Sequence, residues 1–203
     1  GPNTGGMGAV APNPHYTPEL AALCMERILR PTVDALRSEG RPFRGCLYFG
    51  LMLTADGPKV IEYNCRFGDP EAQAVLPLLE SDLFEIMLAV REERLAEVEV
   101  RFSDGASCCV VMASEGYPGK VREGMEIHID SGLPPDTVVY HSGTRRDGET
   151  LRTAGGRVLS VTAVAPTAGE ARSRAYAGVG LIHFEGARFR HDIGTAGGLS
   201  HDA

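Results

Sequence analysis

The residues from Val60 to Glu71, V-I-E-Y-N-C-R-F-G-D-P-E, place an acid–amide pair, an arginine and a helix start within twelve residues. On a strand over Val60–Cys65, Glu62 and Asn64 lie two apart and share a face. Their Cα atoms would then be about 6.6 Å apart, at ~3.3 Å per residue. From that spacing a carboxylate and an amide oxygen can converge on one small cation, since Mg²⁺–oxygen bonds are about 2.1 Å. Ile61 and Tyr63 are expected to face the other way, into a core. Arg66 follows at the strand end, where its permanently charged guanidinium suits a phosphate or carboxylate. Gly68 permits a sharp turn. Asp69, Pro70 and Glu71 read as the cap, first residue and first-turn acid of a helix. A metal pair, an anion clamp and a helix start in twelve residues fit Mg²⁺–nucleotide chemistry, where positioning and charge stabilisation do most of the catalysis.

The surrounding elements must position that stretch. Gly1–Ala11 reads as a loop in which Gly5, Gly6 and Gly8 let a ligand approach the main chain closely. It holds no lysine and does not match the G-x-x-x-x-G-K-[ST] phosphate loop. Thr17 caps a helix begun by Pro18, Pro31 should kink or break it, and a second segment, Thr32–Ser38, ends at Gly40. Arg44–Thr54 and Val60–Cys65 read as antiparallel strands across an Asp56-Gly57 turn. A helix over Pro70–Leu79 should close at Pro77. Ser81 or Asp82 caps the next, whose Leu83, Ile86, Met87 and Val90 are expected to be core, Met87 as filler. The charged run Arg91–Arg101 divides the chain into domains 1–100 and 101–203.

Beyond Phe102 the apolar period changes to two. Ala106–Ala113, Glu126–Ile129, Val138–His141 and Arg157–Val164 read as strands, Thr167 caps a helix over Ala168–Gly178, and Ile182–Phe184 with Arg188–Arg190 reads as a closing strand pair. His141–Thr144 and Thr153–Arg157 are polar, glycine-rich strand ends. Either a hydroxyl, backbone N–H groups and Arg157 bind a sugar phosphate there, or these are hairpin turns with Arg157 exposed. The fold class is α+β: an antiparallel sheet with helices, followed by a small mixed β-rich domain.

Composition narrows the function. The 203 residues are 43% hydrophobic and 23% charged, as in ordinary globular chains. A net charge of −7 disfavours non-specific nucleic-acid binding, so any phosphate site must be a local basic pocket. No apolar run is long enough to suggest a membrane span. Cys24, Cys46, Cys65, Cys108 and Cys109 form no C-x-x-C pair and read as reduced thiols of a cytoplasmic protein, without zinc-ligand spacing. His15, His128, His183, His191 and His201 show no pairing with a nucleophile, and there is no G-x-S-x-G.

Four stretches carry a family resemblance: E-Y-N-C-R-F-G-D-P-E, G-P-N-T-G-G-M-G-A at Gly1–Ala9, G-C-L-Y-F-G-L-M at Gly45–Met52, and G-G-R-V-L-S-V-T-A at Gly155–Ala163. Together they resemble the phosphoribosylamine–glycine ligase family of the ATP-grasp superfamily, over nearly the whole chain to about Gly194. The resemblance implies the C-terminal part of an ATP-grasp domain and a small β-rich domain. It implies ligation of glycine to 5-phosphoribosylamine with ATP, through glycyl phosphate, in purine synthesis. Glu62 and Asn64 would hold Mg²⁺ or Mn²⁺, and Arg66, Asp69 and Glu71 would be catalytic. Thr4, Gly5, Gly6, Met7, Arg66, Gly156 and Arg157 would meet substrate. No nucleic acid or membrane partner is implied.

The sequence departs from the family in three places. The family's N-terminal half, with its ATP-holding lysines and glycine-rich flap, is not among these residues, so the chain alone is expected to be inactive and to need that half. Leu47–Leu53 lacks the further metal carboxylate that many ATP-grasp enzymes carry there. The ending I-G-T-A-G-G-L-S-H-D-A is not the family's Ile-Gly-aromatic-Arg. The alternatives are a non-catalytic chain that binds a ligand or partner, and another ATP-grasp carboxylate–amine ligase.

Overall fold

The computed structural model describes residues 2–195; Gly1, His201 and the rest of the C-terminal ending lie outside them. Along the chain run β1 (Gly8–Ala11), α1 (Pro18–Cys24), α2 (Arg30–Ser38), β2 (Tyr48–Thr54), β3 (Gly57–Asn64), α3 (Glu71–Val75), α4 (Leu83–Arg91), β4 (Ala106–Ala113), β5 (His128–Ile129), β6 (Thr137–His141), β7 (Thr144–Asp147), β8 (Thr150–Thr153), β9 (Arg157–Ala165), α5 (Ala168–Val179) and β10 (Ile182–His183). Helices with antiparallel sheets give the expected α+β class.

The chain forms two compact units, and neither is contiguous. One takes the residues up to Pro12, Asp69–Leu78 and those from Ser103 onward; the other takes Asn13–Gly68 and Leu79–Phe102. A single cut near residue 100 therefore does not describe them. The physical reason is strand pairing. Gly8–Ala11 is not loop but an edge strand, paired antiparallel with β4 from Gly8↔Val110 to Ala11↔Ser107.

The sheet unit is built on the antiparallel order β1-β4-β9-β6. All eight residues of β4 are buried, so it reads as an unbroken small-apolar run covered on both faces. Cys108, Val110 and Met112 pair with Ala163, Val161 and Leu159, and this face packs on Ala171, Ala175 and Val179 of α5. Thr167 caps α5 as expected, accepting from Glu170 N. The other face carries Ser107, Cys109, Ser160 and Thr162. There Ser107 Oγ donates to Ala74 O of α3 at 2.5 Å. Ile182–His183 closes against β5, and Arg188 bridges Ala113, so the two segments expected to pair with each other do not. The β7–β8 hairpin was not expected, although Asp147-Gly148, with Gly148 at φ +61°, is an ordinary turn signal.

The second unit starts with the Thr17 cap, which accepts from Leu20 N at 3.3 Å. Pro31 does not break the helical run. A π-helical segment, Met25–Leu29, joins α1 to α2, and Pro31 sits in the first turn of α2. The wider turn takes up the missing donor, and Thr32 Oγ1 donates to Ile28 O at 2.7 Å. Gly40, at φ +72°, ends the run as expected. In the β2–β3 hairpin the register shifts between Gly50 and Leu51: Gly50 faces Glu62 and Leu51 faces Val60, leaving Ile61 as a bulge residue. Ile61 is consequently 62% exposed and Tyr63 50% exposed, not buried in a core. Tyr63 instead meets Phe49 edge-on at 5.3 Å. Asp82 is the cap of α4, accepting from Phe84 N and Glu85 N. Only Ala89 of that helix is buried, and Met87 is half exposed rather than a core filler.

Gly178 offers a test of how α5 seats on the sheet. Helix propensity alone makes Gly→Ala favourable by about 1 kcal/mol. A Cβ at Gly178 would lie 2.8 Å from Val161 Cγ1 and 3.1 Å from Thr137 Cγ2. Overpacking of that kind costs about 1–3 kcal/mol, so sterics win. Gly178→Ala is expected to lower the denaturant midpoint; a raised midpoint would mean that α5 does not pack this closely.

Candidate functional site

Glu62 and Asn64 stand at the exposed end of β3, past the bulge and on one face of the strand. Asn64 Nδ2 donates to Glu62 Oε1 at 2.9 Å, which leaves Glu62 Oε2 and Asn64 Oδ1 without partners among the described residues. Gly50, opposite Glu62, clears room for its stem: a Cβ there would lie 2.9 Å from Glu62 Cγ. Two hard oxygens suit Mg²⁺, which binds through one or two protein groups together with substrate phosphates and water. They are not a closed protein cage, because the described residues contain no group of three His, Cys, Asp or Glu able to hold a metal.

Arg66 follows on the same unit. Its Nη1 donates to Phe67 O at 2.7 Å, and among the described residues it forms no ion pair. Its side chain borders a cavity of about 690 Å³ whose apolar wall includes Leu83, Ile86, Met87 and Val90. The residues of α4 expected to be core are thus the wall of a cavity beside an unpaired guanidinium.

Asp69 and Glu71 belong to the sheet unit, because the division falls between Gly68 and Asp69. Asp69 is not the cap of α3; Pro70 occupies that position and makes no side-chain cap bond. The Asp69 carboxylate is engaged by side chains instead. Oδ1 accepts from Gln73 Nε2 at 2.9 Å and Oδ2 from Arg157 Nη2 at 3.0 Å. With a guanidinium on one oxygen and a carboxamide on the other, both carboxylate oxygens are engaged away from the helix N–H groups. Glu71, half-buried in the first turn of α3, has no partner among the described residues.

Arg157 is neither free nor fully exposed. Its Nη1 also donates to Asp69 O at 2.7 Å and to Gly6 O at 3.1 Å. The N-terminal loop comes to the same place: Gly5 N donates to Tyr117 Oη at 2.8 Å, and Met7 O accepts from Val111 N at 3.1 Å. Side chains are impossible at the contacts. A Cβ on Gly6 would overlap Pro70 Cδ, and one on Gly156 would overlap the Tyr117 ring. Gly5, Gly6, Met7, Gly156, Arg157 and Asp69 are therefore brought together, while Thr4 is exposed at the edge of the loop. Tyr117 and Gln73 were not singled out from sequence. The G-Y-P-G turn at Gly116–Gly119 and the four-residue spacing from Asp69 to Gln73 were the available signals.

The remaining strand end offers little to a phosphate. Ser142 N and Gly143 N are bound to Val158 O and Arg157 O, and Thr153 is buried with its hydroxyl accepting from Met125 N. His141 Nδ1 lies 3.2 Å from Thr144 Oγ1.

Comparison with known proteins agrees across the chain. The family model described as "Phosphoribosylglycinamide synthetase, ATP-grasp (A) domain" matches residues 1–72, and that described as "Phosphoribosylglycinamide synthetase, C domain" matches residues 107–196. The chain is 50% identical to the phosphoribosylamine–glycine ligase of Chlorobaculum tepidum over 197 residues, covering 96% of this chain and 46% of that protein. The crystal structure of the phosphoribosylamine–glycine ligase of Thermotoga maritima superposes with a TM-score of 0.79 at 34% identity, over 95% of this chain and 47% of the other. The biotin carboxylase domain of the Hydrogenobacter thermophilus 2-oxoglutarate carboxylase, in complex with MgADP and bicarbonate, superposes at 0.60 with 16% identity, over 90% of this chain and 40% of the other. That last likeness is one of ATP-grasp fold alone. The chain thus spans less than half the length of these proteins.

Cys108 and Cys109 add no nucleophile. All five are free, and Cys108 and Cys109 are buried on β4. Burial pushes the Cys108 thiol up to about 11. Burial also raises Cys109, with Asp69 and Glu71 adding to the rise and the Thr162 and Ser160 hydroxyls opposing it. The folded protein therefore holds the Cys108 proton more tightly than an unfolded chain does. That contribution to stability is complete below about pH 9 and is lost as the pH rises through about 11. At pH 8 a thiol reagent is expected to label exposed Cys65 in the native protein, and Cys108 and Cys109 only on unfolding. Rapid native labelling of Cys108 would contradict the burial.

Proposed function

Because this chain belongs to the phosphoribosylglycinamide synthetase family, we propose that it supplies metal-holding and substrate-handling residues of an ATP-dependent ligase joining glycine to 5-phosphoribosylamine. The observation that carries this reading is the oxygen pair of Glu62 and Asn64, 2.9 Å from Nδ2 to Oε1, at an exposed strand end. Its donor chemistry fits Mg²⁺, and Mn²⁺ equally as a cation that accepts oxygen ligands. When bound there, the cation neutralises charge on ATP phosphate oxygens. The MgADP complex of the 2-oxoglutarate carboxylase domain supports such a role for the fold.

In this reading a glycine carboxylate oxygen takes the γ-phosphoryl group, giving glycyl phosphate and ADP. The amine of phosphoribosylamine then attacks the acyl carbon, and phosphate leaves with that oxygen. Arg66, unpaired among the described residues, stabilises the phosphoryl group in transfer. Asp69 is anchored by Arg157 and Gln73, whereas Glu71 is unengaged, so Glu71 is the carboxylate that meets an amine. Thr4, Gly5, Gly6 and Met7, with Gly156 and Arg157, shape the pocket for glycine and phosphoribosylamine. Five free thiols suit a cytoplasmic setting. The chain spans less than half of the relatives it matches, and in this reading further residues hold ATP, so these 203 residues alone should not turn over.

Three measurements test the proposal. Incubated by itself with ATP, Mg²⁺, glycine and phosphoribosylamine, the 203-residue chain should release no ADP; release near the ordinary enzyme range of about 10 s⁻¹ would overturn its dependence on further residues. In the ligase that carries this chain, Glu62→Gln should lower kcat by about 10²–10³-fold, by analogy with the loss of one oxyanion donor, with little change in melting temperature. An unchanged kcat with a lower melting temperature would make Glu62 structural. Arg66→Lys keeps the charge but loses the planar fork, so kcat should fall while the KM for ATP moves little. A wild-type kcat would remove Arg66 from the mechanism.

A further inference from the structure

We infer that Tyr117 and Arg157 act as a staple that fixes the glycine-rich loop and Asp69 in one arrangement, making both of them positioning residues. The inference rests on the ligase reading for its consequence, but its geometry stands alone.

Gly5 and Gly6 lie just before β1, outside its ladder, where backbone freedom is greatest. Two consecutive residues are nevertheless held by side chains from elsewhere. The Gly5 N–H donates to Tyr117 Oη at 2.8 Å, and Gly6 O accepts from Arg157 Nη1 at 3.1 Å. The two side chains are registered against each other, because the Tyr117 ring occupies the space that a Cβ on Gly156, next to Arg157, would need. The same guanidinium sets Asp69 through its carbonyl and its Oδ2, while Gln73 holds Oδ1. Arg157 thus spends three of its donated bonds on protein oxygens, so its work is done through Gly6 and Asp69 rather than on a phosphate. With Gly5 N–H and Gly6 O occupied, the Gly6 N–H is left unengaged among the described residues. It is a loop donor still open to a carboxylate or phosphate oxygen.

The test combines a substrate readout with one that needs no substrate. Tyr117→Phe keeps the ring against Gly156 and removes the acceptor. Loss of one such bond corresponds to about a 2- to 10-fold effect. In the ligase carrying this chain, the KM for glycine or phosphoribosylamine should rise by that factor, with the KM for ATP and the melting temperature unchanged. In the unliganded protein, amide hydrogen exchange at Gly5 should quicken. Gly5→Ala would place a methyl 2.8 Å from Tyr117 Oη, so adding Tyr117→Phe should recover part of its KM defect, a rescue that general destabilisation would not give. Faster exchange with both substrate KM values unchanged would overturn the positioning role. Unchanged exchange at Gly5 would overturn the staple. If the wild-type ligase carrying this chain ligates no glycine, the functional reading fails, and the exchange measurement still decides the staple.

Discussion

One guanidinium closes the sheet unit. Arg157 reaches Gly6, 151 residues away, and Asp69, 88 residues away, through three donated hydrogen bonds, one of which is also an ion pair. It can do so because β4 lies between β1 and β9, so the chain just before Gly8 and the residue that opens β9 end up on the same side of one sheet. Hydrophobic burial around β4 supplies the driving force, and the polar contacts at the strand ends supply the register. A glycine-rich segment that would otherwise sample many conformations is tied to a carboxylate by a side chain whose own backbone is locked in the sheet.

The second unit works differently. Its hairpin has only two strands, and its apolar side chains are largely half-buried or exposed, as Met52, Ile61 and Phe84 show. What positions Glu62 and Asn64 is therefore local: the register shift beside Gly50 and the absence of a side chain at Gly50 itself. The bulge turns Ile61 out and restores the two-residue period for the pair that follows. A side chain on such a hairpin is set by backbone geometry more than by core packing.

The local signals in the sequence were sound where they depended on neighbouring residues. Thr17, Asp82 and Thr167 all cap helices, because a cap needs only a side-chain oxygen and the next turn. The reading failed where a distant partner decided. Asp69 looks like a cap until Arg157 and Gln73 compete for its oxygens. Gly8–Ala11 looks like loop until β4 pairs with it. Pro31 looks like a break because a π-turn leaves no mark in composition. The oxygen pair at Glu62 and Asn64 was legible because a strand's two-residue period is itself local. Tyr117 was not, since nothing in G-Y-P-G says which amide its hydroxyl will meet.

On the proposed function, these residues serve a ligase that activates glycine as an acyl phosphate. The most direct test is to supply the ligase carrying this chain with glycine labelled with ¹⁸O in its carboxylate and to analyse the phosphate released. One ¹⁸O per phosphate is expected, because the oxygen that accepts the phosphoryl group leaves with it when the amine attacks. Phosphate free of label, formed together with the ligated product, would contradict it.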